Sequence, residues 1–293
     1  MAARPPDDLL PTTPFLAHAS LEAQLAELPV GWDAAKAWRQ LRGQVPPALR
    51  HRVLESAIDG VLAQARRLVR HAARPTRKVR AAWPDPGELD LAATLDALPA
   101  GPVRPGAWGA GDLVLERTEP RDVDVVAILD MSLSMTGEKI ALLAVATAIL
   151  RMRLEHVAVV AFDTTPHVLV RTGEAVGVRE LVRRVLGVPA QGYTNIEGGL
   201  DAGLRELRAS RRRERVGMLF SDGVANVGWD PVPVAGRFPR LHVVHLGAHH
   251  VQGTRTCQGM ARAGRGKLYR ARTYADLPTV VRGAVRELFR GGG

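Results

Sequence analysis

The spacing of apolar residues changes from helix-like to strand-like along the chain. Between Pro46 and about Ala73, apolar residues recur three, four and seven positions apart, which predicts one long amphipathic helix. Two shorter helices are predicted before it, over residues 20–28 and 32–41. Together these segments predict a small α-helical region over residues 1–83.

A stretch rich in proline and glycine, residues 84–120, follows this helical region. Because both residue types interrupt regular structure, we expect a connector there, with a short helix over 89–98 and a possible edge strand over 112–116. The basic tract from Arg66 to Arg80 precedes it. We interpret the tract as a solvated helix face followed by a linker, and alternatively as a docking surface for an acidic partner.

From residue 121 onward, short apolar runs alternate with longer helix-like segments. The first run, 123–129, is interrupted only by Asp124, which predicts a strand buried on both faces. Five more strands are predicted, at 157–162, 168–170, 216–220, 241–246 and 267–269. Helices are predicted between and after them, at 137–152, 178–186, 196–208, 256–263 and 276–289. This order predicts an α/β domain over 121–290 with a doubly wound, mostly parallel six-stranded sheet.

Oxygen-bearing side chains stand where these strands end or helices begin. Asp130, Ser132 and Ser134 follow the first strand, Thr194 precedes the helix at 196–208, and Asp222 follows the strand at 216–220. Ligands of open α/β sheets bind at this edge. Hydroxyls and carboxylates without His or Cys favour Mg²⁺, Mn²⁺ or Ca²⁺ over Zn²⁺. Two carboxylates are too few for a closed cage, so a partner's carboxylate could fill an open position.

Each of these residues also has an ordinary structural interpretation. Asp130, Ser132 and Ser134 could cap the next helix, Thr194 could cap the helix at 196–208, and Asp222 could form a turn. The presence of all three loops, in order and on the same sheet edge, favours the metal site.

Other polar residues are predicted to have structural roles. Asp163 is interpreted as a turn residue. His242 and His245 would point to opposite faces of one strand, which argues against a shared metal. Cys257 is expected to be a small buried residue, and as the only cysteine it cannot form an internal disulfide.

In the order and placement of these loops, residues from about 120 to 290 resemble a von Willebrand factor A (VWA) domain. Its metal-ion-dependent adhesion site (MIDAS) matches the set Asp130, Ser132, Ser134, Thr194 and Asp222. The resemblance implies a Rossmann-like fold and an Mg²⁺ ion held by the hydroxyls and, directly or through water, the aspartates. It also implies that an acidic residue of a partner completes the metal shell. Leu133 and Tyr193 depart from the motif, because they stand where many members have glycine.

A helical N-terminal half followed by a C-terminal A domain is similar to a bacterial group of CoxE-like and ViaA-like proteins that partner MoxR-type AAA+ ATPases. The segment 89–95 also resembles one in that group. The resemblance implies an adaptor that links such an ATPase to a target bearing an acidic residue. No enzymatic activity is expected, because the chain has no G-x-S-x-G elbow and no P-loop. Ser132 also replaces the second aspartate of a dehalogenase-type phosphatase.

The net charge of +10 raises nucleic-acid binding as an alternative function, through the Arg-rich segments 66–80 and 211–215. Aromatic residues make up only 4% of the chain and offer few platforms for stacking bases, so we expect nucleic acid not to be the main partner. The first ten residues lack an apolar signal core, and no apolar run is long enough for a membrane span. With one cysteine, these features lead us to expect a cytoplasmic protein.

Overall fold

The computed structural model describes residues 28–69, 76–82, 85–97, 109–120, 123–135, 138–189, 192–246, 251–271, 276 and 279–284. Its main feature is a six-stranded sheet of order β6–β5–β4–β7–β8–β9. The strands are β4 (Val123–Asp130), β5 (Val157–Phe162), β6 (Pro166–Val170), β7 (Glu214–Ser221), β8 (Leu241–Leu246) and β9 (Leu268–Ala271). All neighbours are parallel except the β5/β6 pair, where the edge strand β6 runs antiparallel. The doubly wound, mostly parallel α/β fold expected from the sequence is thus confirmed.

Helices cover both faces of this sheet because β4 is apolar on both sides. Val125, Ala127 and Leu129 face one core, whereas Val126 and Ile128 face the other, as the two-residue period of a strand requires. The first face carries α4 (Glu138–Arg153) and α5 (Val178–Gly187); the second carries α6 (Ile196–Ala209), α7 (Val232–Ala235) and α8 (Val251–Ala263). The sheet is therefore buried between two helical layers.

Two N-terminal helices, α1 (Gly31–Leu41) and α2 (Pro47–Val69), form a hairpin that packs on α4 and α5. Their apolar residues belong to the same core as that face of the sheet. At the edge of the contact, Arg179 pairs with Glu55 and Asp59 at 2.7 Å each, and Arg183 pairs with Glu55 at 2.8 Å. The hairpin is thus an integral layer of the protein, and its exposed side is the one facing away from α4 and α5.

A small antiparallel sheet that the sequence analysis did not predict joins the predicted connector to the end of the region predicted to be helical, residues 1–83. Its order is β1–β3–β2, formed by β1 (Thr76–Ala82), β2 (Glu88–Leu89) and β3 (Val114–Pro120). The predicted edge strand is in fact its central strand. The basic tract was also misread, because its C-terminal part forms β1 and not a linker. The register sets Arg80 opposite Glu116, an arrangement of opposite charges that favours this pairing of strands.

The remaining elements differ from expectation mainly at their ends. The helix predicted over 89–98 is α3 (Leu91–Ala97), and α8 begins at Val251, five residues before its predicted start. Residues 279–284 are helical, whereas the rest of the predicted terminal helix and nearly all of the predicted helix at 20–28 lie outside the described residues. Within the described ranges, no helix is both long enough and apolar enough to cross a lipid bilayer.

Candidate metal centre

The candidate ligands lie at the point where the order of strands reverses. From β4 the chain continues to β5 on one side, and the later strand β7 pairs on the other side of β4. The loops leaving β4 and β7 therefore diverge from a shared crevice at the carboxyl ends of the strands. Open α/β sheets bind ligands at this topological position.

Asp130 is buried at the bottom of the site. Its side chain is fully inaccessible, and its Oδ1 accepts a hydrogen bond from the Ser132 amide at 3.1 Å. Its Oδ2 accepts one from the Ser221 hydroxyl at 2.6 Å. Burial raises the pKa of Asp130 to about 6, and the nearby Asp222 carboxylate adds to the effect, although the hydrogen bonds from Ser132 and Ser221 oppose it. A cation beside this carboxylate would offset the cost of its burial.

Ser132 and Ser134 present two hydroxyls side by side, with their Oγ atoms 3.1 Å apart. Ser132 is buried and Ser134 is exposed, so the pair leads from Asp130 to the surface. Two adjacent ligands of an octahedral Mg²⁺, each at about 2.1 Å from the ion, are separated by about 3 Å. The observed spacing fits such a pair, and both residues are thus suited to hold one ion.

The loop that carries Thr194 is held in place by contacts with Thr164 in a neighbouring loop. Gly192 has a φ of +80°, and a Cβ there would lie 2.2 Å from Thr164 Oγ1. The same Thr164 hydroxyl accepts a hydrogen bond from the Tyr193 amide at 2.9 Å. Asn195, and not Thr194, caps α6, because its Oδ1 accepts from the Gly198 amide. The alternative of Thr194 as the helix cap is therefore wrong, and its side chain is 4% exposed.

Asp222 occupies the third loop, directly after β7. Its Oδ1 accepts a hydrogen bond from the Val224 amide at 3.1 Å. His245 Nε2 lies 3.1 Å from the Asp222 carbonyl oxygen, and burial lowers the pKa of His245, so the neutral ring donates this hydrogen bond. A Cβ at Gly223, where φ is +76°, would meet the Gly253 carbonyl oxygen at 2.3 Å. The loop is therefore fixed from both β8 and α8.

An open cleft joins the three loops. Of the five predicted site residues, Ser134, Thr194 and Asp222 line it directly. Ser132 contacts Ser134, and Asp130 lies one layer below. The remaining cleft residues are Leu133, Gly192, Tyr193, Val224 and Asn226. The predicted ligands in this cleft, Ser134, Thr194 and Asp222, carry oxygen donors, which a hard divalent cation prefers. In the described part of the chain, no group of three His, Cys, Asp or Glu side chains offers a different kind of metal site.

Three residues that sequence reasoning missed support the loop after β4. Ser221 donates to Asp130, and Lys139 Nζ donates to the Ser134 carbonyl oxygen at 2.8 Å. From α1, Arg39 Nη2 donates to the Ser132 carbonyl oxygen at 3.3 Å. Burial lowers the pKa of Arg39 to about 10, while the Asp130 carboxylate counteracts the shift. Of these three residues, only Ser221 could have been found from the sequence, because it directly precedes the candidate ligand Asp222. Arg39 is 93 residues from Ser132, so the sequence gives no sign of their contact.

The other polar residues discussed in the sequence analysis make contacts that stabilise the fold. Asp163 Oδ1 accepts from the Thr165 amide at 3.0 Å, which confirms a turn residue. Cys257 is buried, as expected. His242 Nδ1 accepts from the Lys267 amide, away from the His245 contact. In the Arg-rich segment 211–215, Arg212 Nε lies 3.2 Å from buried Asp124.

The raised pKa of Asp130 predicts an unusual pH dependence of stability in the absence of metal. Between pH 4 and 6 the folded state binds a proton that the unfolded chain has released, so the free energy of unfolding should fall as pH rises through this window. A shift from 3.8 to about 6 corresponds to about 3 kcal/mol. Mg²⁺ affinity should fall as pH drops below about 6, because the proton competes with the cation.

Urea unfolding in EDTA at pH 4.5 and pH 7, beside calorimetric Mg²⁺ titrations, would measure both effects. Asp130→Asn should remove the excess pH dependence of unfolding that wild type has in this window. Equal pH dependence in the two proteins would contradict the prediction, because other carboxylates would then account for all of it.

Comparison with known families identifies the chain. A family model described as "VWA domain containing CoxE-like protein" matches residues 63–254, about two thirds of the 293 residues. The chain belongs to the CoxE-like VWA family. The matched range contains all five candidate ligands of this CoxE-like VWA protein, and the family assignment confirms the resemblance recognised from its loops. No curated protein matches the sequence.

Solved structures similar to this CoxE-like VWA protein share little sequence with it. BatB from Bacteroides thetaiotaomicron is 14% identical, with a TM-score of 0.48 over 57% of this chain and 98% of that one. A von Willebrand factor type A protein from Catenulispora acidiphila is 19% identical, with a TM-score of 0.48 over 60% and 45%. Proximal thread matrix protein 1 of the mussel byssus, with a zinc-occupied MIDAS motif, is 14% identical, with a TM-score of 0.48 over 56% and 47%.

Proposed function

We propose that this CoxE-like VWA protein is a Mg²⁺-dependent protein-interaction module that acts as an adaptor for a MoxR-type AAA+ ATPase. The observation that carries the proposal is the convergence of hydroxyl and carboxylate oxygens from three loops on one open cleft. In the proposal, the metal ligands are Asp130, Ser132, Ser134, Thr194 and Asp222. Mn²⁺ is the alternative ion, because it prefers the same hard donors.

The residues of the site have distinct tasks in this proposal. Ser132, Ser134 and Thr194 supply neutral oxygens, and Asp130 and Asp222 supply negative charge. When bound, the ion supplies an electrophilic position for a carboxylate of the target protein. Ser221, His245 and the capped start of α6 keep the ligand loops in place, so that little ordering is needed on binding.

The ATPase would dock on the outward side of the N-terminal hairpin. The inward side of α2 is buried against α4 and α5, whereas Arg50, Arg52, Arg66 and Arg67 are exposed. Exposed arginines favour an acidic partner surface and speed its association. We propose that the chain itself performs no catalysis and works in the cytoplasm, where the ATPase finds its ATP.

Replacing Thr194 with alanine is expected to abolish partner capture while the fold persists. The change removes one neutral ligand from a 4%-exposed position, which should weaken Mg²⁺ binding by about 10- to 100-fold. Affinity capture from source lysate, with wild type and variant each in Mg²⁺ and in EDTA, should retain a AAA+ ATPase and its target only on wild type in Mg²⁺.

The control is Thr279→Ala, which removes an exposed threonine outside the three loops and should behave as wild type. Retention of the same proteins in every condition would contradict the proposal. Binding of RNA or DNA that falls steeply with salt and ignores EDTA would favour the alternative, a nucleic-acid-associated protein acting through its Arg-rich surfaces.

A further inference from the structure

The rim of the metal cleft carries exposed apolar side chains. Leu133 is 62% exposed, Tyr193 65% and Trp229 84%, and Val227 is 37% exposed. Leu133 and Tyr193 line the cleft together with Ser134, Thr194 and Asp222. Single exposed apolar residues are ordinary, but a group of them around one polar cleft is typical of a binding surface. We call these four residues the apolar rim.

Two members of the apolar rim arise from departures from the family motif. Leu133 stands between the two candidate ligands Ser132 and Ser134, and Tyr193 directly precedes Thr194. Both positions hold glycine in many VWA domains, so the chain carries apolar bulk there that metal binding does not need. Burial of Leu133 and Tyr193 against a partner would remove apolar surface from water, which is favourable by about 25 cal/mol per Å².

The other two members stand on a loop that is tied to the ligand loop. The amides of Asn226 and Val227 donate to the Thr194 carbonyl oxygen at 3.0 and 3.3 Å. The Trp229 amide donates to Glu197 Oε2 at 3.2 Å, in the first turn of α6. These hydrogen bonds hold the backbone of the rim in place before a partner arrives, which lowers the entropic cost of binding.

The charges at the cleft select an anionic ligand. A bound divalent cation would neutralise the two carboxylates Asp130 and Asp222. Lys139 and Arg39, which donate to carbonyl oxygens of the same loop, would then add two positive charges beside the site, against one negative charge from Glu197 at the rim. A carboxylate is therefore the ligand that complements the centre, whereas apolar side chains complement its rim.

Resting on the proposed function, we propose that the apolar rim selects a target segment in which the metal-binding Asp or Glu is flanked by apolar residues. The acidic residue enters the cleft, and its neighbours cover Leu133, Tyr193 and Trp229. Aromatic residues at the centre of an interface contribute most strongly to affinity. Acidic segments with charged or polar flanks would reach the metal but leave the rim in water.

A peptide array tests this selection. The probes are nine-residue peptides with a central Glu and varied flanks, and they are presented to the 293-residue chain in Mg²⁺ and in EDTA. Peptides with Leu, Ile, Phe or Trp next to the Glu should dominate the Mg²⁺-dependent binders. Leu133→Ala and Trp229→Ala should each weaken binding of the best peptide by about tenfold, and Trp229→Ala should leave Mg²⁺ affinity unchanged.

The matched control is Leu95→Ala, which removes an equally large side chain that is 52% exposed on α3. It should bind the peptide as wild type does. Metal-dependent binding without any preference for apolar flanks would overturn the inference and leave the proposed function standing. The same holds if Leu133→Ala and Trp229→Ala bind like the control.

Two further outcomes distinguish a failure of the proposed function from a failure of the inference about the apolar rim. If Thr194→Ala binds the best peptide as tightly as wild type does, the metal is not the recognition element and the proposed function fails. If Mg²⁺ drives dimerisation in analytical ultracentrifugation and Leu133→Ala prevents it, the rim covers a second copy of this chain, and the inference about a target segment is overturned.

Discussion

Asp130→Asn is expected to weaken Mg²⁺ binding by at least about 100-fold without lowering the stability of the metal-free protein at pH 7. The carboxylate is fully buried and is neutral only below about pH 6, so the charged form is costly until a cation compensates it. Asparagine has the same shape; its Oδ1 can still accept from the Ser132 amide, and its Nδ2 can donate to the Ser221 hydroxyl oxygen, which reverses that hydrogen bond. The substitution removes half of the negative charge of the site, but not its packing.

Asp124→Asn is the matched control, because Asp124 is a second buried carboxylate of the same strand. It lies at the opposite end of β4, where it pairs with Arg212 at 3.2 Å. Its loss should lower the free energy of unfolding and leave Mg²⁺ affinity unchanged. Isothermal titration calorimetry and urea unfolding distinguish the two variants. Unchanged Mg²⁺ affinity in Asp130→Asn would remove this residue from the metal centre.

Gly60→Ala is expected to have the largest effect on the N-terminal hairpin. A Cβ at residue 60 would lie 2.2 Å from the carbonyl carbon and oxygen of Gly31 and 2.4 Å from the Trp32 amide nitrogen. These are backbone atoms and cannot rotate away, so α1 and α2 must separate. Overpacking of this kind costs about 3 kcal/mol, and the better helix propensity of alanine returns about 1 kcal/mol. We expect a net loss of about 2 kcal/mol.

Gly43→Ala provides the control for this substitution, since a Cβ there would meet nothing within 4 Å. Its free energy of unfolding should stay within about 0.5 kcal/mol of wild type. Urea unfolding followed by tryptophan fluorescence measures both, because Trp38 is buried in the hairpin contact. Equal unfolding midpoints for the two variants would contradict the close crossing of α1 and α2.

The core of the fold could be predicted because each buried strand is marked by a continuous run of apolar residues within its own sequence. The run from Val123 to Leu129 is apolar at nearly every position, short and rich in β-branched residues, which is typical of a strand buried on both faces. The ligand loops were predictable for a related reason. Parallel strands end at one edge, so the oxygens after β4 and β7 had to lie near each other once the strands were assigned.

The missed features depend on contacts between distant residues. β1 was overlooked because its sequence is rich in Arg and Lys, and because its partner strand β3 lies nearly 40 positions away in the chain. Nothing near Arg39 marks it as a neighbour of Ser132, since only the packing of α1 against α4 brings the two together. The same holds for the loop of Val227 and Trp229, which borders the Thr194 loop only through backbone hydrogen bonds.

The hydrogen bond from Arg39 to the Ser132 carbonyl oxygen connects the N-terminal hairpin directly to the loop that carries Ser132 and Ser134. If the proposed ATPase displaced α1 from the sheet domain, the Arg39 guanidinium would leave its acceptor, and the loop bearing Ser132 and Ser134 would lose this hydrogen bond. Since such linkage is reciprocal, a ligand that tightens the loop would also resist this displacement. Under the proposed function, binding of the target at the cleft and displacement of the hairpin would therefore be energetically coupled in both directions.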